Sequence, residues 1–409
     1  MTIPAENSSI HNANKFHNNS SVSTIQYSLT NSMFYPDVFL SPQPRFNSQL
    51  DLSTRNLPCV LFLHGSHPGG FDTSRFMASG FAHASNTKLL ATDGYGMGGN
   101  NLVPFSLLNV SRPGYLESSL NFDNTFNSEA LGLIRLLDKL SIKSIRIVAL
   151  DSSSLLAMEL ASIPYFRERV KSLVLINPIT SFNPYSDYLK FIKLLFAPSI
   201  IQNLKTYYGS YRNARNYHKK GTYSLLNDKA QSKAHQDHEL GGNDENTSKT
   251  LLKRKRFFSS HSPDNNTYES RISKLVSLHC GELAATEMHS DNFLYHNYLN
   301  LPVLFSQNES RKLGIKSDFI KLGHFFDDSA AVKRQWKFIK SPICCITTST
   351  AGATNEQINT NIEKVKLSIL NNVQSNTVEF HHVKGGGVSL YPLSRVSNIA
   401  LEFVNAFGL

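Results

Sequence analysis

Apolar positions along the chain fall into two alternating patterns. Short runs rich in apolar residues read as strands, and Cys59–Leu63 among them is continuous and reads as buried. They are Cys59–Leu63, Phe105–Val110, Ile145–Leu150, Ser172–Ile176, Ile343–Thr347 and Val378–Val383. Between them apolar residues recur at helical spacing. Leu131, Ile134, Leu137 and Leu140 share one face, Leu155–Ala161 begins a helix directly after the third run, and Ile399, Leu401, Phe403 and Val404 mark a closing helix from Ser394 to Phe407. Strands alternating with helices predict an α/β architecture, a mostly parallel sheet flanked by helices.

Two segments break the alternation. Asn86–Asn101 contains Gly94-Tyr95-Gly96-Met97-Gly98-Gly99, which neither follows a strand nor opens a helix as a phosphate-binding loop must, and it reads as a flexible insertion. Residues 180–340 separate the fourth and fifth runs. This stretch opens on helix-like aromatic residues (Tyr188–Phe196), passes through a polar span at 227–270 whose composition predicts disorder, and resumes from Arg271 to Trp336. The expected organisation is a disordered tail at 1–30, a core of 31–179 completed by 341–409, and an inserted cap at 180–340.

With 409 residues and 40% hydrophobic side chains, the chain can build one large α/β domain with such a cap. Its four cysteines, Cys59, Cys280, Cys344 and Cys345, lack paired spacing and read as reduced core thiols, so neither a disulfide framework nor a metal site is expected. No cofactor is expected either. No run approaches the roughly 20 apolar residues of a membrane span. The Asn- and Ser-rich start lacks a secretory signal or transit peptide, and Ala406-Phe407-Gly408-Leu409 is no peroxisomal tripeptide, so a cytoplasmic location is the default. Without secretion, sequons such as those at Asn109 and Asn308 carry no information. The formal net charge is +10, densest at Lys253-Arg254-Lys255-Arg256 before Phe257-Phe258. Inside a polar span this cluster reads as a solvated loop; a nuclear-import or nucleic-acid patch is the other reading.

Three motifs point further. His64-Gly65-Ser66-His67-Pro68-Gly69-Gly70 follows the first run, Ser111-Arg112-Pro113-Gly114-Tyr115-Leu116 follows the second, and Arg169-Val170-Lys171-Ser172-Leu173-Val174-Leu175-Ile176-Asn177-Pro178 surrounds the fourth. With them the chain from Leu57 to Leu409, insertions aside, resembles the α/β-hydrolase family, especially its branch with a Ser-Arg-Pro-Gly-Tyr-Leu turn. The resemblance implies a nucleophile on a strained strand-to-helix turn with small residues two positions away on each side. Ala149-Leu150-Asp151-Ser152-Ser153 fits with Asp151 in the nucleophile position. A register shifted by one puts Ser152 there, but sets Leu150 in the crowded small-residue position. The family's acid follows the fifth run, where this chain has Ala351 and no carboxylate before Glu356, itself expected in the next helix. The family's histidine follows a Gly-Gly-Gly pattern, and here Gly385-Gly386-Gly387 leads to Val388, which cannot relay a proton. Backbone N–H groups around Gly65, Ser66 and Ser152 retain what an oxyanion hole needs.

With all three catalytic positions replaced, the resemblance implies a catalytically inactive pseudohydrolase that binds a small apolar ligand or a protein partner. Two rivals remain. One is a hydrolase using Ser152, or using Asp151 as the carboxylate nucleophile found in haloalkane dehalogenases and epoxide hydrolases of this fold. The Asp151 route needs a base from the cap, where His289, His296 and His324 are candidates; His381 and His382, on the last strand, read as structural. The other rival is a nucleic-acid-associated protein using the basic loop. A buried Asp151 carboxyl is expected to titrate high unless backbone N–H groups bond to it, and its charge would repel an oxyanion.

Overall fold

The computed structural model describes residues 25–31, 57–92, 104–121, 123–181, 265–306, 309–327, 335–387 and 389–407. All six apolar runs are strands of one seven-stranded sheet. In chain order the strands are β1 (Tyr27–Asn31), β2 (Cys59–Leu63), β3 (Ser106–Val110), β4 (Ile145–Leu150), β5 (Val170–Ile176), β6 (Ile343–Ser349) and β7 (Val378–Lys384). Their spatial order is β1-β3-β2-β4-β5-β6-β7. Only β1 is antiparallel, pairing Tyr27 with Val110 and Asn31 with Ser106; the other neighbours are parallel. This strand crosses the end of the segment that composition assigns to a disordered tail. Its residues, Tyr-Ser-Leu-Thr-Asn, carry little apolar signal of their own, and pairing with β3 recruits them.

Strand alternation divides the core into two layers. Val60, Phe62, Val148 and Leu150 pack with α1 (Phe71–Thr92) and with the C-terminal helix over Leu393–Ala406. Cys59, Leu61, Leu63, Ile147 and Ala149 face the opposite layer, formed with α2 (Phe126–Lys139) and α3 (Ser153–Ser162). Each Val, Leu, Ile or Phe among them, once buried, contributes roughly 1.5–3 kcal/mol. Helix α1 runs to Thr92, so the segment read as a flexible insertion from Asn86 begins as helix; Gly94–Gly99 lies outside the described residues.

The insertion contributes α4 (Asn265–Cys280), α5 (Glu282–Glu287), α6 (Asn292–Leu299), α7 (Leu301–Ser306) and α8 (Lys312–Asp327). Its helix α4 starts within the span expected to be disordered. Val276, Ala284, Leu294 and Leu304 join the first core layer, and Leu322 and Phe325 join the second. The described part of the insertion is therefore built into the core. Chain order resumes with β6, α9 (Asn355–Leu370), β7 and α10 (Leu393–Ala406). Tyr188–Phe196, Lys253–Arg256, Asn308 and Val388 lie outside the described residues. The four cysteines are free and buried. Among the described residues no helix is long and apolar enough to cross a membrane, and no cluster of three or more His, Cys, Asp or Glu could hold a metal ion.

Candidate active site at the carboxyl edge of the sheet

The parallel strands end at one edge, where α/β proteins gather ligands. Strand β4 stops at Leu150 and α3 begins at Ser153, which leaves Asp151 to make the turn at φ 55°. An aspartate tolerates that left-handed conformation better than most residues, though still at a cost. Ser152 is already right-handed at φ −59°. The small residue after the turn has a defined task. Ser153 Oγ bonds the Leu63 carbonyl at 2.8 Å and accepts from the Leu150 N–H at 2.9 Å, tying the turn to β2. On the other side Gly65 is obligatory, since a Cβ there would lie 2.9 Å from Asp151 Cβ.

The Asp151 carboxylate accepts hydrogen bonds from the backbone N–H groups of Ser66 and Ser152. Burial raises its pKa to about 6 although both amides favour the charged form, so the high titration and the amide bonds expected as alternatives occur together. Asp151 nevertheless keeps accessible surface, as do Ser66, His67, Asn177 and Thr348 on the same edge.

Directly beside it lies a closed charge network. Arg112, fully buried, donates from Nε to Glu129 Oε1 at 2.7 Å and from Nη2 and Nη1 to the two Asp318 oxygens at 2.7 and 2.9 Å. Lys321 Nζ reaches Glu129 Oε2 at 2.6 Å and Asp318 Oδ1 at 3.5 Å. Tyr115 donates its hydroxyl to Asp318 Oδ2 at 2.8 Å. Burial alone would raise the Asp318 carboxyl, but Arg112 and Lys321 hold it below its ordinary value. Ser152 Oγ belongs to this network, 2.7 Å from Ser66 Oγ, 3.2 Å from Arg112 Nη1 and 3.3 Å from Asp318 Oδ2. His64 accepts the Arg112 N–H at Nε2 (2.9 Å), which leaves its Nδ1 to donate to the Gly65 carbonyl. Burial and the neighbouring guanidinium lower its pKa to about 3, so it is neutral and both ring nitrogens are engaged.

The remaining positions are dispersed. Ala351 sits in the turn after β6, and Glu356 is exposed on α9. Of the histidines proposed as bases, His289, His296 and His324 are all exposed, so none is buried at the elbow. His381 pairs with Glu379, and His382 bonds Thr347 and Ser349. Among the described residues no histidine is hydrogen-bonded to Asp151 or Ser152.

Two features escaped the sequence reading. Asp318 and Lys321 enter the site from α8, a mixed helix whose pattern marks neither as buried. His279, at the end of α4, packs on the glycine run: its carbonyl accepts from Leu390 N at 2.9 Å, and a Cβ on Gly387 would meet that oxygen at 2.1 Å. Its ring Nδ1 lies 3.5 Å from Ser389 Oγ, and the ring stacks on Phe305 at 3.9 Å.

No protein-family model and no curated protein sequence matches the chain. Among solved structures it is similar to an alpha/beta hydrolase fold protein from Nakamurella multipartita, at 17% identity over 86% of this chain and 93% of that one, with a TM-score of 0.43. It is also similar to a structure from Nitrososphaera gargenis described with carboxylesterase activity profiles (11% identity, 95% and 97% covered, TM-score 0.47). A third is a thermophilic esterase from Thermogutta terrifontis (12% identity, 95% and 98% covered, TM-score 0.42). With six parallel-paired strands, an antiparallel strand at one edge, helices on both faces and a left-handed turn between β4 and α3, the chain has an α/β-hydrolase fold.

Proposed function

We propose that the chain is a non-hydrolytic α/β-hydrolase-fold protein that binds a ligand at the carboxyl edge of its sheet. One observation carries this reading. The amide pair of Ser66 and Ser152, which acyl transfer would need for its oxyanion, is occupied by the protein's own Asp151 carboxylate. Ser152 offers no rescue, because its hydroxyl is engaged with Ser66, Arg112 and Asp318 rather than with a base. The test is fluorophosphonate labelling with a p-nitrophenyl ester panel on wild type, Asp151→Ala and Ser152→Ala. No labelling and no turnover are expected. Labelling lost only in Ser152→Ala would overturn the reading and make Ser152 a nucleophile.

A second reading has its own observation. His279 stands beside Gly387 and Ser389, at the loop where the family's histidine is expected, and burial lowers its pKa to about 4, leaving it neutral. In that reading Asp151 displaces a leaving group from carbon to form an ester, and water deprotonated by His279 cleaves it. Turnover of styrene oxide or 1-bromobutane, abolished by both Asp151→Asn and His279→Ala, would establish it. Its absence in wild type sinks it.

A further inference from the structure

Charge at the carboxyl edge does not balance locally. Arg112 and Lys321 are matched by Glu129 and Asp318, two cations against two anions, all four fully buried. Asp151 is left over. Among the described residues no lysine, arginine or histidine forms an ion pair with it. Arg112, the cation whose field reaches it, already spends its guanidinium on Glu129 and both oxygens of Asp318. A carboxylate has about four lone-pair sites, and the amides of Ser66 and Ser152 take two.

The neighbouring groups supply no compensating positive charge. His67, next along from Ser66, has a buried Nδ1 without a hydrogen-bond partner, and burial keeps the ring neutral. Asn177 and Thr348 satisfy one another, Nδ2 to Oγ1 at 2.9 Å and backbone N–H to Oδ1 at 2.7 Å. Arg311, the other fully buried arginine nearby, is held by Asp72 at 2.7 Å. An anionic ligand would therefore meet an unneutralised carboxylate, and an ester oxygen would find the amide donors occupied. A ligand carrying N–H donors and positive charge meets the complementary surface.

Building on the non-hydrolytic reading, we propose that Asp151 is the counter-ion for a cationic ligand, a primary or secondary amine bound as its ammonium. Three probes of one shape test it by calorimetric titration of the full chain: benzylamine, benzyl alcohol and benzoate. At about pH 8 benzylammonium is expected to bind about tenfold more tightly than benzyl alcohol, with benzoate weakest. Asp151→Asn, which removes the charge and keeps one acceptor oxygen, is expected to make amine and alcohol equal. Wild type at about pH 5, where the carboxyl is protonated, gives the same levelling without any substitution, so the result does not depend on how the variant folds. No binding of benzylammonium at about pH 8, a preference for benzoate, or an amine preference that survives Asp151→Asn would overturn the proposal. Ester turnover alongside a retained amine preference would break the non-hydrolytic reading and leave the amine site standing. Absence of both would break the amine site alone.

Discussion

Arg112 bonds the hydroxyl of Ser152, the residue that follows Asp151, and the guanidinium and the carboxylate meet burial in opposite ways. The guanidinium is neutralised in place, by Glu129 from α2 and Asp318 from α8, so its charge is spent on holding three chain segments together. The carboxylate is held by amides alone, which orient it without cancelling its charge. Closed networks of the first kind resist change, because removing one partner strands another buried charge. A lone carboxylate with accessible surface remains free to respond to protons and ligands.

The largest expected effect breaks the closed side of this comparison. Asp318→Ala leaves Arg112 and Lys321 facing Glu129 alone, and we expect a loss of about 3–5 kcal/mol in denaturant unfolding. The open side responds with the opposite sign. Because the native Asp151 carboxyl, at about 6, binds its proton more tightly than the unfolded one at 3.8, it adds stability below that window and loses it as pH rises through about 6. Asp151→Asn is therefore expected to raise stability at about pH 8 by at most about 3 kcal/mol, and to make no difference below about pH 4. Melting curves across that range check both halves. The smallest effect calibrates the others. Lys88 and Glu402 form a 2.7 Å ion pair with side chains 34% and 67% exposed, and Lys88→Ala should cost under about 1 kcal/mol, less at high salt.

Fold and site differed in how much of them the sequence carried. The central parallel strands were legible because strands covered on both faces are rich in apolar residues, whereas β7, at the sheet edge, is largely half-exposed and interleaves Glu379, His381 and His382 with its apolar positions. The turn from β4 into α3 was legible as the change from an apolar run to helical spacing, and Asp151 takes a left-handed backbone there. Strand β1 was missed because its place depends on pairing with β3, about eighty residues away, rather than on its own pattern. Asp318 and Lys321 were missed for a related reason. On α8 they lie three residues apart like any surface pair, and the packing of Gly314 against Tyr115, with Leu322 and Phe325 in the core, turns that face inward. The cap histidines named from sequence proved exposed, while His279 is buried by contacts with a glycine run more than a hundred residues distant.

The strand at residues 27–31 also decides where the chain can be cut. Gln26, just ahead of it, accepts the Ser111 N–H on its carbonyl at 2.8 Å and donates its own N–H to Ser118 Oγ at 2.9 Å. Those two bonds brace the turn that carries Arg112 and Tyr115 into the charge network. A shortened protein that begins at residue 24 keeps the brace. One that begins at residue 32 removes a sheet edge and leaves the Ser111 amide and Ser118 hydroxyl without these partners, so a boundary that looks harmless by composition would loosen the site from behind.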